Sequence, residues 1–222
     1  MKILIQFPVR NRFAKFCSTI DQYIQKASSE NELIYNISID DDDTEITEQK
    51  IKEYLKKYPK VNYIISVNKN TSKVQAINRV PENIVFDVLL LASDDMIPKV
   101  MRYDLYISKY MQMKYPHTDG VLWFFDGYQK RLNTLCILGK KYYDRFGYIY
   151  NPNYTSLWCD NEFMDVANIL KKQTYIDTCI IKHEHWANNK QLKKDPLYIK
   201  NDESADLDKS IYLHRKAHNF DI

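Results

Sequence analysis

Short apolar runs alternate with longer mixed segments through the first half of the chain. Four of these runs predict strands: KILIQF at 2–7, ELIYNISID at 32–40, VNYIISV at 61–67 and FDVLLLAS at 86–93. Segments with helical spacing lie between them, at about 13–27, from a Thr44 cap to about 58, and at 72–79. Because strands that alternate with helices form βαβ units, we expect a parallel sheet with helices on its faces.

The second half of the chain has a different pattern. Helical spacing predicts helices at about 99–115 and 160–172. Apolar runs predict strands at 119–127 and 132–139, which could pair antiparallel, and a further strand at 174–186. The tail from Ala187 is polar and predicts one or two helices. Because no repeat or low-complexity linker interrupts the chain, this tail is expected to extend one domain.

Charge and composition narrow the possible functions. The 222 residues include 32 basic and 29 acidic ones, and the lysines are dispersed, so we expect no nucleic-acid partner. Neither GxGxxG nor GxxxxGK[ST] occurs, which argues against a glycine-rich phosphate loop. The 4 cysteines form no CxxC pair, and no apolar window suits a signal sequence or a membrane span. A soluble, cytoplasmic protein is therefore expected.

Two adjacent carboxylates, Asp94 and Asp95, follow the most apolar predicted strand, in the stretch LLLASDDMIP at 89–98. Like charges side by side are costly when they lose water, so something must compensate them. A divalent cation could do so, with one carboxylate on the metal and the other on a ligand hydroxyl. The alternative is that one of them caps a helix starting at Pro98.

Polar residues also follow the other predicted strands of the first half. Asp40 could reach a base or a ribose, and Arg10, Arg12 and Lys73 suit a diphosphate. The alternative for the acidic run 40–43 is a solvated turn with a helix cap. In parallel sheets ligands bind at the carboxyl ends of the strands. Groups for a base, a diphosphate and a metal are together what a nucleoside-diphosphate donor requires.

The order of these elements resembles the GT-A fold glycosyltransferases, especially the family 2 type. The resemblance covers about residues 1–185 and rests on short motifs in a characteristic order: Pro8 and Arg10, then Asp40, then Lys-x-x-Ala-x-Asn at 73–78, then Ser93-Asp94-Asp95. It implies an α/β fold with a Rossmann-like, mostly parallel central sheet flanked by helices and a small antiparallel acceptor-side portion. Together with the lack of a linker, it leads us to expect one glycosyltransferase domain over 1–222, with a nucleotide-sugar half at about 1–95, an acceptor half at about 96–186 and a helical extension at 187–222.

The resemblance implies a site for Mn²⁺ or Mg²⁺ at the acidic strand end. Asp95 would be the chief metal ligand, with Asp94 on the ribose or as a second ligand. Ala92 stands where the common motif has its first aspartate, so which carboxylate meets the metal stays open. Many enzymes of this fold add a histidine from the C-terminal region, which makes His185 or His183 a candidate, with simple packing as the alternative for each. The implied donor-binding residues are Pro8, Arg10, Arg12, Asp40, Lys73, Asn78, Ser93 and Asp94.

The segment Trp158-Cys159-Asp160-Asn161-Glu162 resembles the acidic segment beside the acceptor in the same family. An inverting transferase needs a carboxylate that deprotonates the acceptor hydroxyl, and the resemblance implies Asp160 for that role, with Glu162 second. The alternative is that Asp160 merely caps the helix that follows. The expected activity is transfer of a sugar from a nucleoside-diphosphate donor, UDP rather than GDP, to a hydroxyl of a glycan or other acceptor.

Two other functions remain open at this level. A sugar nucleotidyltransferase would share the sheet and the acidic metal site, although the sequence PVRNR after the first strand has no glycine-rich loop. A non-catalytic glycan-binding or assembly protein would keep the aromatic residues of the second half. It would not need Asp94, Asp95 and Asp160 together.

Overall fold

The computed structural model of the chain describes residues 1–187 and 196–222. Its strands are β1 (Lys2–Val9), β2 (Glu32–Asp40), β3 (Asn62–Asn68), β4 (Val88–Leu91), β5 (Met96–Pro98), β6 (Val121–Phe124), β7 (Ile137–Gly139), β8 (Gln173–Ile176) and β9 (Ile181–His183). Its helices are α1 (Phe13–Gln25), α2 (Glu48–Leu55), α3 (Lys73–Ile77), α4 (Tyr103–Lys114), α5 (Lys140–Phe146), α6 (Cys159–Ile169), α7 (Pro196–Asp202) and α8 (Ala205–Ala217). A 3₁₀ turn at Asn219–Asp221 follows α8.

A seven-stranded sheet in the order β3-β2-β1-β4-β7-β6-β8 forms the centre of the described residues. The first four of these strands are parallel, with Ile5 of β1 between Tyr35 of β2 and Leu90 of β4. The strand β7 pairs antiparallel with both β4 and β6. These pairings confirm the predicted parallel half and the predicted antiparallel pair in the second half.

Apolar side chains cover both faces of the sheet. In the central strand β1, Ile3, Ile5 and Phe7 pack towards α1, α2 and α4, whereas Leu4 packs towards α3, α5 and α6. A parallel strand covered on both faces carries a continuous apolar run, which is the pattern of KILIQF. The carboxyl ends of four neighbouring strands are thereby aligned at one edge of the sheet.

The predicted strand at 174–186 is wrong, because the structure divides it between two sheets. β8 extends the central sheet beside β6, whereas β9 pairs antiparallel with β5 in a separate two-stranded sheet. The chain turns between them, where the Thr178 amide donates to the Ile176 carbonyl at 2.8 Å. This small sheet places Met96 opposite His183 and so brings the acidic strand end beside the histidine pair.

Two expected helix starts also differ from the structure. No helix starts at Pro98, which lies in β5, so Asp94 and Asp95 do not cap one; α4 begins at Tyr103. The residue that caps α2 is Thr47 rather than Thr44, and its hydroxyl accepts from the Lys50 amide at 3.3 Å. In the part of the chain that the structure describes, no helix is both long enough and apolar enough to cross a membrane.

Candidate active site

A cleft of about 750 Å³ opens at the carboxyl edge of the parallel strands. Its walls come from the loops after β1, β3 and β4, from the segments 129–134 and 155–161, from the end of β9 and from α7. Most residues predicted for the site line this cleft: Pro8, Arg10, Arg12, Asp40, Lys73, Ser93, Asp94, Asp95, Asp160, His183 and His185. The edge predicted from the strand order is therefore the edge at which the cleft lies.

Arg10 and Asp40 line the cleft as a pair. The Arg10 guanidinium pairs with buried Asp40 and, through a second nitrogen, with Asp42 at 2.8 Å. These hydrogen bonds, above all the one to Asp42, raise the pKa of Arg10, although its partial burial opposes them. The other Asp40 oxygen accepts from the Asn70 amide at 2.6 Å. Both oxygens of Asp40 are thus fixed in position by neighbours from two different loops.

The loop after β1 has an unusual backbone, which acidic side chains of the next loop stabilise. Asn11 and Arg12 have φ angles of 52° and 58°, in the left-handed region that residues other than glycine seldom adopt. The Asn11 amide donates to Asp43 at 2.6 Å, and the amides of Arg12 and Phe13 donate to Glu45 at 3.0 and 2.7 Å. Asp43 is therefore structural, and this conformation directs the Arg12 side chain towards Asp94.

Arg12 compensates the first of the two adjacent carboxylates. Its Nη1 lies 3.2 and 3.4 Å from the two oxygens of Asp94, and its guanidinium stacks over the Tyr198 ring at 4.3 Å. Burial, and then the neighbouring charge of Asp95, raise the pKa of Asp94 to about 6, while Arg12 opposes this shift. The Asp94 carbonyl accepts from the Thr19 hydroxyl at 2.9 Å, which fixes the turn itself.

Asp95, the second carboxylate, is surrounded by donors. Tyr198 donates its hydroxyl to Oδ2 at 2.7 Å, His183 Nε2 lies 3.6 Å from the same oxygen, and Ser93 donates to Oδ1. Burial alone would raise the pKa of Asp95, but His183, Ser93 and Tyr198 hold it well below its usual value. Asp95 is therefore ionised at neutral pH, although its side chain is only 12% exposed.

The histidines beside Asp95 differ in their surroundings. Burial, and then His183, lower the pKa of His185 to about 4, so its imidazole is neutral at neutral pH. Its Nδ1 accepts from the Ala187 amide at 3.3 Å. The His185 ring meets the Tyr198 ring edge to face at 4.6 Å. Nδ1 of His183 is buried, and it neither donates nor accepts a hydrogen bond within the described residues.

The groups around Asp95 suit a divalent cation that is shared with a ligand. No three His, Cys, Asp or Glu side chains converge into a metal cage within residues 1–187 and 196–222. Mg²⁺ is usually bound by one or two carboxylates together with substrate phosphates and water, rather than by a cage of protein ligands. Asp95, ionised and adjacent to His183, supplies this kind of partial shell. The residues present therefore fit Mn²⁺ or Mg²⁺ held together with a diphosphate.

Asp160 also lines the cleft, in the first turn of α6. The position that would cap this helix belongs to Trp158, so Asp160 is not its cap residue. Burial raises the pKa of Asp160, and the positive charge of Lys73 partly offsets that rise. A carboxylate with a raised pKa is a stronger base than an ordinary aspartate, which suits proton abstraction near neutral pH.

Two predicted site residues, Asn78 and Glu162, do not line the cleft. Asn78 accepts from the Ile149 and Tyr150 amides at 3.0 and 3.1 Å and donates to the Tyr150 carbonyl at 2.6 Å. Glu162 is 4% exposed and accepts from the Tyr154 hydroxyl and Arg215 Nε at 2.7 and 2.8 Å. Both side chains stabilise the segment that leads to Asp160 rather than face a ligand.

Sequence reasoning missed several residues that line the cleft. They are Asn70, Gln129, Arg131, Thr134, Ser156, Tyr198 and Lys200. Asn70 follows a predicted strand, so the strand-end argument could have identified it. Tyr198 lies 103 positions from Asp95 in sequence, and no local pattern connects the two. Arg131 is exposed, and no carboxylate within the described residues pairs with it.

The sequence matches no family model, and no curated protein matches it. Solved structures nevertheless share its fold, and three examples follow. The mannosyltransferase PcManGT from Pyrobaculum calidifontis, in complex with GDP-Man and Mn²⁺, superposes with a TM-score of 0.63 at 12% identity, over 98% of this chain and 69% of that one. S. aureus TarS 1–349 in complex with UDP has a TM-score of 0.63 at 14% identity, over 82% of this chain and 60% of that one.

The third structure is glucosyl-3-phosphoglycerate synthase from Mycobacterium tuberculosis, in complex with Mn²⁺, UDP and glucosyl-3-phosphoglycerate. Its TM-score is 0.57 at 12% identity, over 89% of this chain and 73% of that one. The chain thus spans 60 to 73% of these three chains, and only 37% of a longer TarS chain. At such identities the likeness concerns the backbone alone. Together with the mixed seven-stranded sheet and its small antiparallel companion, it confirms the predicted architecture: the chain has the GT-A fold of these glycosyltransferases.

Proposed function

We propose that the protein is a metal-dependent glycosyltransferase, which moves a sugar from a nucleoside-diphosphate donor to a hydroxyl of a glycan or other acceptor. One observation carries this proposal: an ionised Asp95 beside His183 and a more basic Asp160 line the same cleft. Asp95 and His183 suit a metal ion bound together with a diphosphate, and Asp160 suits removal of the proton from an acceptor hydroxyl. A glycan-binding protein would need neither.

The donor would lie along the carboxyl ends of the parallel strands. Asp40, with Asn70, would meet the base, and Asp94 would meet the ribose. Arg12 and Lys73 would lie near the diphosphate, since both are cationic and line the cleft. UDP is the proposed nucleotide, because S. aureus TarS and the glucosyl-3-phosphoglycerate synthase were solved with UDP, whereas PcManGT was solved with GDP-Man.

Asp95, with His183, would hold Mn²⁺ or Mg²⁺ at the diphosphate, and Asp94 or His185 could add a further ligand. When bound, such an ion offsets the negative charge that develops on a departing diphosphate. The low pKa of Asp95 keeps its carboxylate charged and available for that role. Pro8 and Ser93, which also line the cleft, would contribute to its shape on the donor side.

Asp160 would act as the base in a single inverting displacement. The acceptor oxygen would form a bond to the anomeric carbon while the bond from that carbon to the diphosphate oxygen breaks. The proton of the acceptor hydroxyl would move to Asp160, whose raised pKa makes it a better acceptor. The leaving diphosphate would retain the bonding electron pair.

The proposed domain division follows the cleft. Residues at about 1–95 would bind the nucleotide sugar, and residues at about 96–186 would supply the acceptor side and the base. The helical extension at 187–222 also contributes, because Tyr198 and Lys200 of α7 line the cleft. We therefore regard it as part of the site rather than as an appendage.

A donor panel tests this proposal. UDP- and GDP-sugars would be incubated with the protein and Mn²⁺, Mg²⁺ or EDTA, and release of nucleoside diphosphate would be measured. We expect metal-dependent release that falls by about 100-fold or more in Asp95→Asn. The control is Asp177→Asn, because Asp177 is 61% exposed, pairs with Lys130 and lies outside the cleft lining.

Two results would reject the proposal. One is the absence of both nucleotide-sugar binding and turnover with metal present. The other is pyrophosphate release from a nucleoside triphosphate and a sugar 1-phosphate, which would identify a nucleotidyltransferase instead.

A further inference from the structure

Asp208, in the helix α8, is a buried carboxylate that the proposed reaction does not use. It is 0% exposed, and three consecutive backbone amides donate to it: Thr155 to Oδ1 at 2.8 Å, and Ser156 and Leu157 to Oδ2 at 2.9 and 2.8 Å. The Ser204 hydroxyl also donates to Oδ2, at 2.8 Å. Four hydrogen bonds compensate the burial of this charge, so the arrangement is a specific anchor.

The anchored segment is part of the cleft wall and leads directly to Asp160. Thr155, Ser156 and Leu157 all line the cleft. The chain then turns sharply at Trp158, whose φ of 61° lies in the left-handed region, and α6 begins at the next residue. A non-glycine residue keeps such a conformation when its surroundings fix it. Asp208 fixes the three residues immediately before this turn.

A second contact from α8 holds the far side of the same segment. Arg215 Nε donates to Glu162 at 2.8 Å, and the Tyr154 hydroxyl donates to the same carboxylate oxygen at 2.7 Å. Residues 154–162 are thus attached to α8 at both ends, and Asp160 lies between the two attachments. Glu162, which the sequence predicts as an alternative base, has this anchoring role instead.

We propose that Asp208 is a positioning residue for Asp160, and that α8 thereby sets the geometry of the acceptor side of the cleft. This inference rests on the proposed function, in which Asp160 is the base. Asp208 itself lines no part of the cleft and acts only through the 155–157 backbone. Its role concerns the acceptor side, because the donor side of the cleft is built by the loops after β1 to β4.

The same pair of helices offers a matched control in Asp165. It accepts from the Tyr212 hydroxyl at 2.7 Å and from Lys216 Nζ at 2.8 Å, so it also connects α6 to α8. Within the described residues it forms no hydrogen bond or ion pair with residues 155–157, and it does not line the cleft. Replacing it weakens the contact between the helices while leaving the anchored segment in place.

The test compares Asp208→Asn with Asp165→Asn. In Asp208→Asn an amide NH₂ would face backbone donors, so the 155–157 segment loses its fixed position. We expect kcat for transfer to fall by roughly 100-fold, as for other misplaced catalytic groups. The Kd for UDP with Mn²⁺ should stay within about twofold. Asp165→Asn should stay within about threefold of the parent in both quantities, since Asp165 is hydrogen-bonded to Tyr212 and Lys216 of α8 and does not line the cleft.

Hydrogen exchange of the backbone gives a readout that does not depend on turnover. The amides of 155–157 should be protected in the parent and in Asp165→Asn and should exchange rapidly in Asp208→Asn. If Asp208→Asn does not fold, Ser204→Ala tests the positioning role in its place, because it removes only the hydroxyl that donates to Asp208. We then expect kcat to fall by about fivefold, in keeping with the loss of one hydrogen bond.

The outcomes separate this inference from the proposed function. A parent without any sugar transfer or donor hydrolysis would overturn the proposed function and the role of Asp208 with it. An active parent with unchanged kcat in Asp208→Asn, or in Ser204→Ala if that variant decides, would overturn only the positioning role. Equal losses of kcat in Asp208→Asn and Asp165→Asn would overturn it too, because they would show a general effect of helix packing.

Discussion

The Tyr198 hydroxyl donates to Oδ2 of Asp95 at 2.7 Å, although 103 positions separate the two residues. Oδ2 is also the oxygen that lies nearest His183, at 3.6 Å. The hydroxyl therefore occupies a position from which a cation bound between Asp95 and His183 would displace it. This relationship connects the C-terminal helix α7 to the proposed metal site.

Removing the Tyr198 hydroxyl should strengthen metal binding. In Tyr198→Phe nothing from residue 198 competes for Asp95, and the ring still stacks with Arg12. Loss of one competing hydrogen bond corresponds to a gain of about fivefold in Mn²⁺ affinity in the presence of UDP. Calorimetric titration with Mn²⁺ measures this change. Weaker binding of Mn²⁺ by Tyr198→Phe would show that the hydroxyl supports the site instead. Tyr198→Leu is the comparison variant, because it loses both the hydroxyl and the ring that stacks with Arg12.

The pH dependence of kcat should report the ionisation of Asp160. Burial raises the pKa of this carboxyl above about 4, the ordinary value for an aspartate. Because a base must be deprotonated, kcat should fall as the pH drops below this raised pKa. Lys73 opposes the rise, so Lys73→Met should move this acid limb to higher pH. Rates at saturating donor measure the shift. An acid limb that does not move in Lys73→Met would count against Asp160 as the base.

Glu162→Gln should keep the acid limb of the parent. Glu162 is buried and accepts hydrogen bonds from Tyr154 and Arg215. The substitution weakens this network and should lower the free energy of unfolding by about 1–3 kcal/mol. Asp160→Asn should instead abolish transfer with a small effect on stability. Urea unfolding together with pH profiles of both variants distinguishes the two roles. Loss of the acid limb in Glu162→Gln would restore Glu162 as a candidate base.

Two glycines should differ in how they tolerate a methyl group. A Cβ on Gly139, in β7, would lie 2.1 Å from the Thr118 carbonyl oxygen, so Gly139→Ala requires the backbone to move and should cost about 3 kcal/mol. A Cβ on Gly147 meets nothing within 4 Å, but its φ of 73° is left-handed, so Gly147→Ala should cost about 1 kcal/mol. Urea unfolding compares them, and a larger loss for Gly147→Ala would contradict the order.

Local patterns predicted much of the donor side of the cleft. Parallel strands end at the same edge of a sheet, so the positions of Arg10, Asp40 and Asp94 along the sequence were enough to place them together. The family resemblance, by contrast, implied site roles for Asn78 and Glu162, neither of which lines the cleft. Both are polar residues near the site in sequence, yet their hydrogen bonds to Tyr150 and Arg215 are tertiary contacts that no local pattern contains.

The alternation of apolar runs along the chain determined the parallel half of the sheet, its polar edge and the resemblance to the GT-A fold. These features depend on the period and order of residues, which the sequence contains directly. Only the tertiary structure decided that β9 pairs with β5, that Tyr198 reaches Asp95 and that Asp208 anchors the segment before Asp160. Each of these contacts joins residues far apart in the chain, and their energies come from burial and hydrogen bonds that exist only once the helices and strands have packed.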